Sequence, residues 1–205
     1  MEKPWFDKYI KNYRRTKKEY DNVTKELWYH SYSFLDGTSI QGTYDLRDSI
    51  EEYFKDIVLD QKLVLDVGCA DGFLSVAAAL RGSIVTSLDA APFYLRHAKF
   101  AAKKQGVELT FFERDLFQDN DDMGLFDIVF CNHVLCHINP DIGSDDLVVS
   151  KLSAIKKLKT FMKKNGTLVI VDNNENIHKL LLREFDVNTS KISFLSSTRY
   201  VCTSK

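Results

Sequence analysis

Five short apolar runs recur along this chain, each separated from the next by a segment of helical character. They are KLVLDV at 62–67, SIVTSLD at 83–89, VELTFFE at 107–113, FDIVFCN at 126–132 and TLVIVD at 167–172. The first, KLVLDV, is a nearly continuous apolar run and suits a strand buried on both faces. Strands that alternate with helices are joined by right-handed crossovers into a parallel sheet. The helices between them carry their own stop and start signals. FLSVAAALRG ends at Gly82, Pro92 opens FYLRHAKFAAKKQ, and Gly106 closes it. DLVVSKLSAIKKLKTFMKK reads as a helix closed by Asn165-Gly166, and a short helix is expected near 175–185.

The tail breaks the rhythm. KISFLSS and RYVCTSK lie too close together for a crossover helix and must pair antiparallel. The expected fold is therefore α/β and doubly wound: a mostly parallel seven-stranded sheet with a C-terminal antiparallel hairpin. An N-terminal helical and hairpin cap precedes it. Residues 5–27 alternate aromatics with charges as amphipathic helices do, and Asp36-Gly37 between two β-prone runs signals a hairpin. Residues 45–57 look helical. We divide the chain into a cap at 1–57 and a core at 58–205, within a single compact domain.

The bulk properties exclude more than they select. With 205 residues and 44% apolar content the chain can bury a proper core, and its net charge of −1 gives no global attraction to nucleic acid. No apolar stretch approaches the roughly 18 residues of a membrane span, and the first residues show no signal-peptide core. Four cysteines without a C-x-x-C pair fit reduced thiols, so a cytoplasmic location and no membrane partner are expected. Six lysines between 151 and 164 with no acid among them read as a solvated helix face near its C-terminal end.

Ligands of open α/β sheets bind beyond the carboxyl ends of the strands, at the switch point. The unusual residues gather there. Gly68 and Gly72 flank the turn after the first run, where the backbone can approach a ligand closely. Asp66 precedes that turn and can orient it or meet a cationic amine. Asp89, 21 residues beyond Gly68, stands near the spacing at which an acid accepts from ribose hydroxyls, with Ala90 beside it. Asp115 and the Leu116 amide follow the third run, placed for an adenine edge. A dinucleotide enzyme is the rival, but Asp71 inside the loop should repel a pyrophosphate. A Tyr13/Lys17 pair at the spacing of short-chain dehydrogenases precedes the loop and is read as coincidence. His133, Cys136 and His137 tempt a metal reading. With no fourth ligand and no Glu after the first His, cleft histidines are the better account, and no metal is expected.

LVLDVGCADGF followed by SLDA, RDL and FDIVFCNHVL resembles the class I, seven-stranded S-adenosylmethionine-dependent methyltransferases over about residues 60–205. The resemblance implies S-adenosylmethionine as cofactor and in-line methyl transfer to an acceptor, a small molecule in the first instance. It implies that Asp66, Gly68 and Gly72 surround the methionyl part, Asp89 the ribose, and Asp115 with Leu116 the adenine. Asn132 and His133 would stand near the methyl. The commoner glycine between Gly68 and Gly72 is Ala70 here, a small change that should matter little. The lead-in WYHSYSFLDGTSIQG loosely resembles the group of the tRNA wobble-uridine 5-oxyacetate (carboxymethyl) transferase, which keeps an RNA acceptor and a carboxylated donor as the alternative. A cofactor-binding but inactive partner subunit is the third. For the proton of a hydroxyl acceptor, His133 and His137 are the catalytic candidates, and His30 qualifies if the hairpin folds over the site. Trp28, Tyr29 and Tyr32 serve equally as pocket lining or as core.

Overall fold

The computed structural model describes residues 23–138, 144–174, 176–193 and 196–204. The helices expected over 5–27 fall outside the described residues up to residue 22, and at 23–25 a short 3-10 turn (Val23–Lys25) stands. The chain opens with β1 (Trp28–His30), β2 (Tyr32–Ser33), β3 (Ser39–Ile40), β4 (Gly42–Tyr44) and helix α1 (Ile50–Phe54). The alternating core follows: β5 (Leu63–Val67), α2 (Phe73–Ala79), β6 (Ile84–Asp89), α3 (Pro92–Lys104), β7 (Leu109–Glu113), β8 (Phe126–Asn132), α4 (Ser144–Thr160) and β9 (Met162–Asp172). Helix α5 (Asn176–Glu184) leads into β10 (Phe185–Lys191) and β11 (Thr198–Ser204).

Seven strands form the main sheet among the described residues, in the order β10-β11-β9-β8-β5-β6-β7. Strands β5 to β9 run parallel, while β11 pairs antiparallel with β9, and β10 with β11. The chain winds outward from β5 through β6 to β7, then returns to place β8 on the other side of β5. The direction reverses between β5 and β8, the switch point at which open α/β sheets bind their ligands.

Period-two alternation sorts the side chains onto the two faces. Leu65, Val129, Cys131, Leu168 and Ile170 join one buried cluster with α4, α5 and the terminal hairpin. Val64, Ile128, Phe130, Val169 and Val171 join the other, with α1, α2 and the N-terminal segment. Each internal strand is thus buried on both sides, as its continuous apolar run requires.

Four details differ from the sequence reading. Helix α1 spans Ile50–Phe54 rather than 45–57. Helix α4 ends at Thr160, not at Asn165-Gly166: the Phe161 carbonyl accepts from the Phe126 amide at 2.8 Å, and this contact at the start of β8 draws Met162 into β9. The first strand of the terminal pair is FDVNTSK at 185–191, six residues earlier than KISFLSS, because it follows α5 directly and stays in register with β11. β1 and β4 pair in parallel around the β2–β3 hairpin, a non-local arrangement that local pattern does not reveal.

The cap is fastened to the core by aromatic packing. Trp28 is fully buried, stacked on His97 of α3 at 4.5 Å, with its indole N–H on the Val23 carbonyl at 2.9 Å. Trp28 and Tyr32 are therefore core residues. Arg199 of β11 is also buried, its guanidinium donating to the carbonyls of Tyr53 at 3.0 Å and Lys55 at 2.5 Å. Those two bonds cap the C-terminal end of α1 from the terminal hairpin.

Candidate functional site

The loop between β5 and α2 doubles back over β6. The Gly68 and Cys69 amides both donate to the Leu88 carbonyl, at 2.7 and 3.1 Å. Gly68 takes φ +69°, and a β-carbon there would stand 2.3 Å from Cγ2 of Val134, just past β8. Gly72 takes φ +79° at the start of α2, and its β-carbon would meet Cβ of Ala98 in α3 at 2.8 Å. Two glycines are thus required by conformation and by contact together. Between them Ala70 adopts φ +49°, a conformation that penalises a β-carbon. The departure from glycine at this position carries a strain that the sequence reading discounted.

Two carboxylates anchor the loop. Asp66 is buried and accepts the Ser75 hydroxyl at 2.6 Å, and Ser75 in turn accepts from Ser87 at 2.8 Å. Burial pushes its carboxyl up to about 6, with Asp89 adding to the rise and Ser75 opposing it. Asp89 accepts the Ala70 amide at 2.9 Å and the Ala91 amide at 2.8 Å. Burial also pushes it up to about 6, against the pull of those amides. Each carboxylate oxygen has two lone pairs, so Asp89 keeps capacity for further donors. Ala90 shares the same turn.

The third acid stands next along this edge, because the Arg114 amide donates to the Asp89 carbonyl at 3.1 Å. Asp115 Oδ1 accepts the Phe117 amide at 2.8 Å. Leu116 turns its side chain into the core and leaves its backbone at the turn. Asn120 fixes the conformation, its Nδ2 reaching the carbonyls of Asp115, Leu116 and Gln118 at 3.1, 3.2 and 2.9 Å. Sequence reading missed Asn120, whose place a few residues past Asp115 in an acidic loop was the only signal.

Across the switch point, Asn132 ends β8 with both polar side-chain atoms buried and unpartnered among the described residues. Such groups are costly unless a ligand or water satisfies them. His133 takes φ +53° with its amide on the Val171 carbonyl at 2.8 Å, and a short 3-10 turn at Leu135–His137 follows. Burial lowers His133 to about 4, with His137 and His30 adding to the fall. Burial lowers His137 as well, opposed by Asp172 at the end of β9. Asp172 is buried, with one oxygen on the Asn174 amide at 2.8 Å and the other unpartnered among the described residues. Lys151 is only 5% exposed and its charge acts on Asp172 and Cys136, so one member of the lysine series serves the interior rather than a solvated face. All four cysteines are free.

Asp71 differs most from expectation. Its carboxylate is fully buried and turned toward the cap, where it accepts the His30 amide and meets His30 Nδ1, each at 2.6 Å. The Tyr32 hydroxyl donates to the Asp71 carbonyl at 2.8 Å. Asp71 is thus buried against the cap rather than open in the loop, and its charge adds to the rise of the Asp89 carboxyl. Among the described residues no three His, Cys, Asp or Glu side chains are grouped to hold a metal ion, and no helix is long and apolar enough to cross a membrane.

The arrangement fits a nucleoside bearing a cationic group: a close-approach loop, an acid with spare acceptor capacity, a pinned polar turn and an unsatisfied amide at the crevice. Comparison with known proteins agrees. A model of the methyltransferase domain family matches residues 59–198. A ubiquinone biosynthesis O-methyltransferase of Histophilus somni is 34% identical over 115 residues, 54% of this chain and 44% of that protein. The Azotobacter vinelandii enzyme of the same name is 34% identical over 134 residues, covering 65% and 52%. The matched region thus spans about half the length of these relatives. Among solved structures, magnesium protoporphyrin IX methyltransferase of Synechocystis PCC 6803 with bound S-adenosylmethionine superposes with a TM-score of 0.62 at 23% identity over 78% of each chain. The N-methyltransferase NodS of Bradyrhizobium japonicum, with S-adenosyl-L-homocysteine, gives 0.59 at 14% identity, covering 77% and 84%. This chain belongs to the methyltransferase domain family and has the fold of the class I S-adenosylmethionine-dependent methyltransferases.

Proposed function

We propose that the protein binds S-adenosylmethionine and transfers its methyl group to a hydroxyl of a small-molecule acceptor, as an enzyme of the cytoplasm. The observation that carries the reading is Asp89, a carboxylate at the end of the strand beside the loop, bonded to that loop yet with acceptor capacity left. In this reading Asp66, Gly68 and Gly72 surround the methionyl part, Asp89 and Ala90 take the ribose, and Asp115 with the Leu116 amide takes the adenine. Asn132 supplies its unsatisfied amide at the methyl-bearing end. The sulfonium supplies an already activated methyl, so the protein must chiefly exclude water and hold the acceptor in line. His133, His137 and Asp172 line the acceptor side. Burial makes the two histidines weak bases, which suits them better to orienting an acceptor than to deprotonating it. The hydroxyl acceptor is favoured by the O-methyltransferase relatives, and the near-neutral surface gives no support to a large RNA footprint.

The test is incubation of the purified protein with methyl-labelled S-adenosylmethionine and an extract of hydroxylated metabolites, with total tRNA in a parallel reaction. Label in a small-molecule ether supports the reading. Label in RNA, or donor binding without any labelled product, overturns it.

A further inference from the structure

The cap places a second, differently built histidine beside the donor loop. His30 spans both oxygens of Asp71: its backbone N–H reaches Oδ2 and its ring Nδ1 reaches Oδ1, each at 2.6 Å. The ring is thereby fixed in orientation as well as position. A carboxylate can only accept, so the proton of the neutral imidazole is held on Nδ1 and the lone pair is left on Nε2. Nε2 has no hydrogen-bond partner among the described residues, and the side chain keeps 12% exposure while Asp71 keeps none. Asp71 lies within the Gly68–Gly72 loop, so the pair is mounted on the element assigned to the donor.

We propose that His30, oriented by Asp71, is the general base that removes the acceptor's proton during methyl transfer. This rests on the methyltransferase reading given above. The acceptor oxygen forms its bond to the methyl carbon as the carbon–sulfur bond of the sulfonium breaks and sulfur keeps the electron pair. The hydroxyl proton passes to His30 Nε2, and the imidazolium so formed faces the Asp71 carboxylate. Burial and the neighbouring His137 weaken His133, whereas the His30 ring is held in place by the buried Asp71 carboxylate. Among the described residues Asp66 and His133 interact electrostatically with His30, and the rings of Tyr29, itself titratable, and Phe73 pack at 4.7 and 5.2 Å.

Two measurements on the full chain decide the matter. Heteronuclear NMR of nitrogen-labelled protein at about pH 8 should find the His30 proton on Nδ1, moving to Nε2 in Asp71→Asn. A ring protonated on both nitrogens at that pH, or carrying its proton on Nε2 in the wild type, overturns the proposal. With the labelled extract, His30→Gln should lose about 100-fold in turnover, within the range general-base catalysis supplies, at donor affinity within about twofold of wild type. Wild-type turnover in His30→Gln overturns the base role alone, and equal loss of donor affinity and turnover marks a structural clamp and overturns it too. Absence of any labelled product with the wild-type protein overturns the underlying function instead.

Discussion

Asp89 and Ala70 are joined by a 2.9 Å hydrogen bond from the loop amide to the carboxylate that ends the neighbouring strand. The same carboxylate holds Ala91 on its own turn at 2.8 Å. One side chain therefore shapes the donor loop before any donor arrives. Asp89→Ala should cost affinity twice over, by removing acceptors for the donor and by releasing the Ala70 amide. Hydrogen bonds to charged groups contribute about 1.5–3 kcal/mol each. Isothermal titration with S-adenosylmethionine should show at least tenfold weaker binding, with a lowered unfolding midpoint. Unchanged affinity would place the ribose elsewhere.

The pH dependence has opposite signs for the free and the donor-bound protein. Asp66 and Asp89 sit near 6 when folded and at the ordinary 3.8 when unfolded. A raised carboxyl contributes stability that is full below about 3.8 and is lost as pH rises through about 6. A cationic donor binds the ionised carboxylates better, so its affinity should rise over the same interval. The stabilisation by saturating S-adenosylmethionine should be larger at about pH 7.5 than at about pH 5. An equal thermal shift at both values would show that neither acid meets the donor.

Gly68 and Val134 can be tested as a pair. A methyl on Gly68 meets Val134 Cγ2 at 2.3 Å and sits on a left-handed backbone. Gly68→Ala should destabilise by about 2–3 kcal/mol from strain and overpacking. Val134→Ala in the same chain should return only the overpacking part, which a double-mutant cycle from urea unfolding will read as coupling. Additive effects would mean that the two residues do not touch.

Ala70 offers the converse. At φ +49° the alanine carries left-handed strain that glycine avoids. Ala70→Gly should stabilise the protein by about 0.5–1 kcal/mol, the strain relieved less the extra flexibility of the unfolded chain. A loss of stability on urea unfolding would show that the Ala70 methyl packs against the loop to advantage.

Arg199 joins the terminal hairpin to α1 through two backbone carbonyls. Arg199→Met keeps much of the apolar stem but orphans both acceptors, at about 1–3 kcal/mol for each buried group left unpaired. The unfolding free energy from urea titration should fall by a corresponding total of about 2–6 kcal/mol. A change under about 0.5 kcal/mol would mean that water replaces the guanidinium there.

The sequence by itself determined the parallel core. The runs at 62–67, 126–132 and 167–172 are apolar on both alternations, the pattern of strands covered on both faces. The places of Gly68, Gly72, Asp66, Asp89 and Asp115 at turns and strand ends were legible too, because such positions leave their mark within a few residues. Tertiary structure decided what depends on residues far apart in the chain. Asp71 looked like a charge in the ligand's path until the fold brought His30 against it from 41 positions away. Lys151 looked solvated until α4 turned it toward Asp172, and the end of that helix was set by a bond from the Phe126 amide to the Phe161 carbonyl. Local propensity reports periodicity and caps. It is silent about which buried charge finds which partner, because that pairing is fixed by the packing of elements and by the cost of leaving either charge alone.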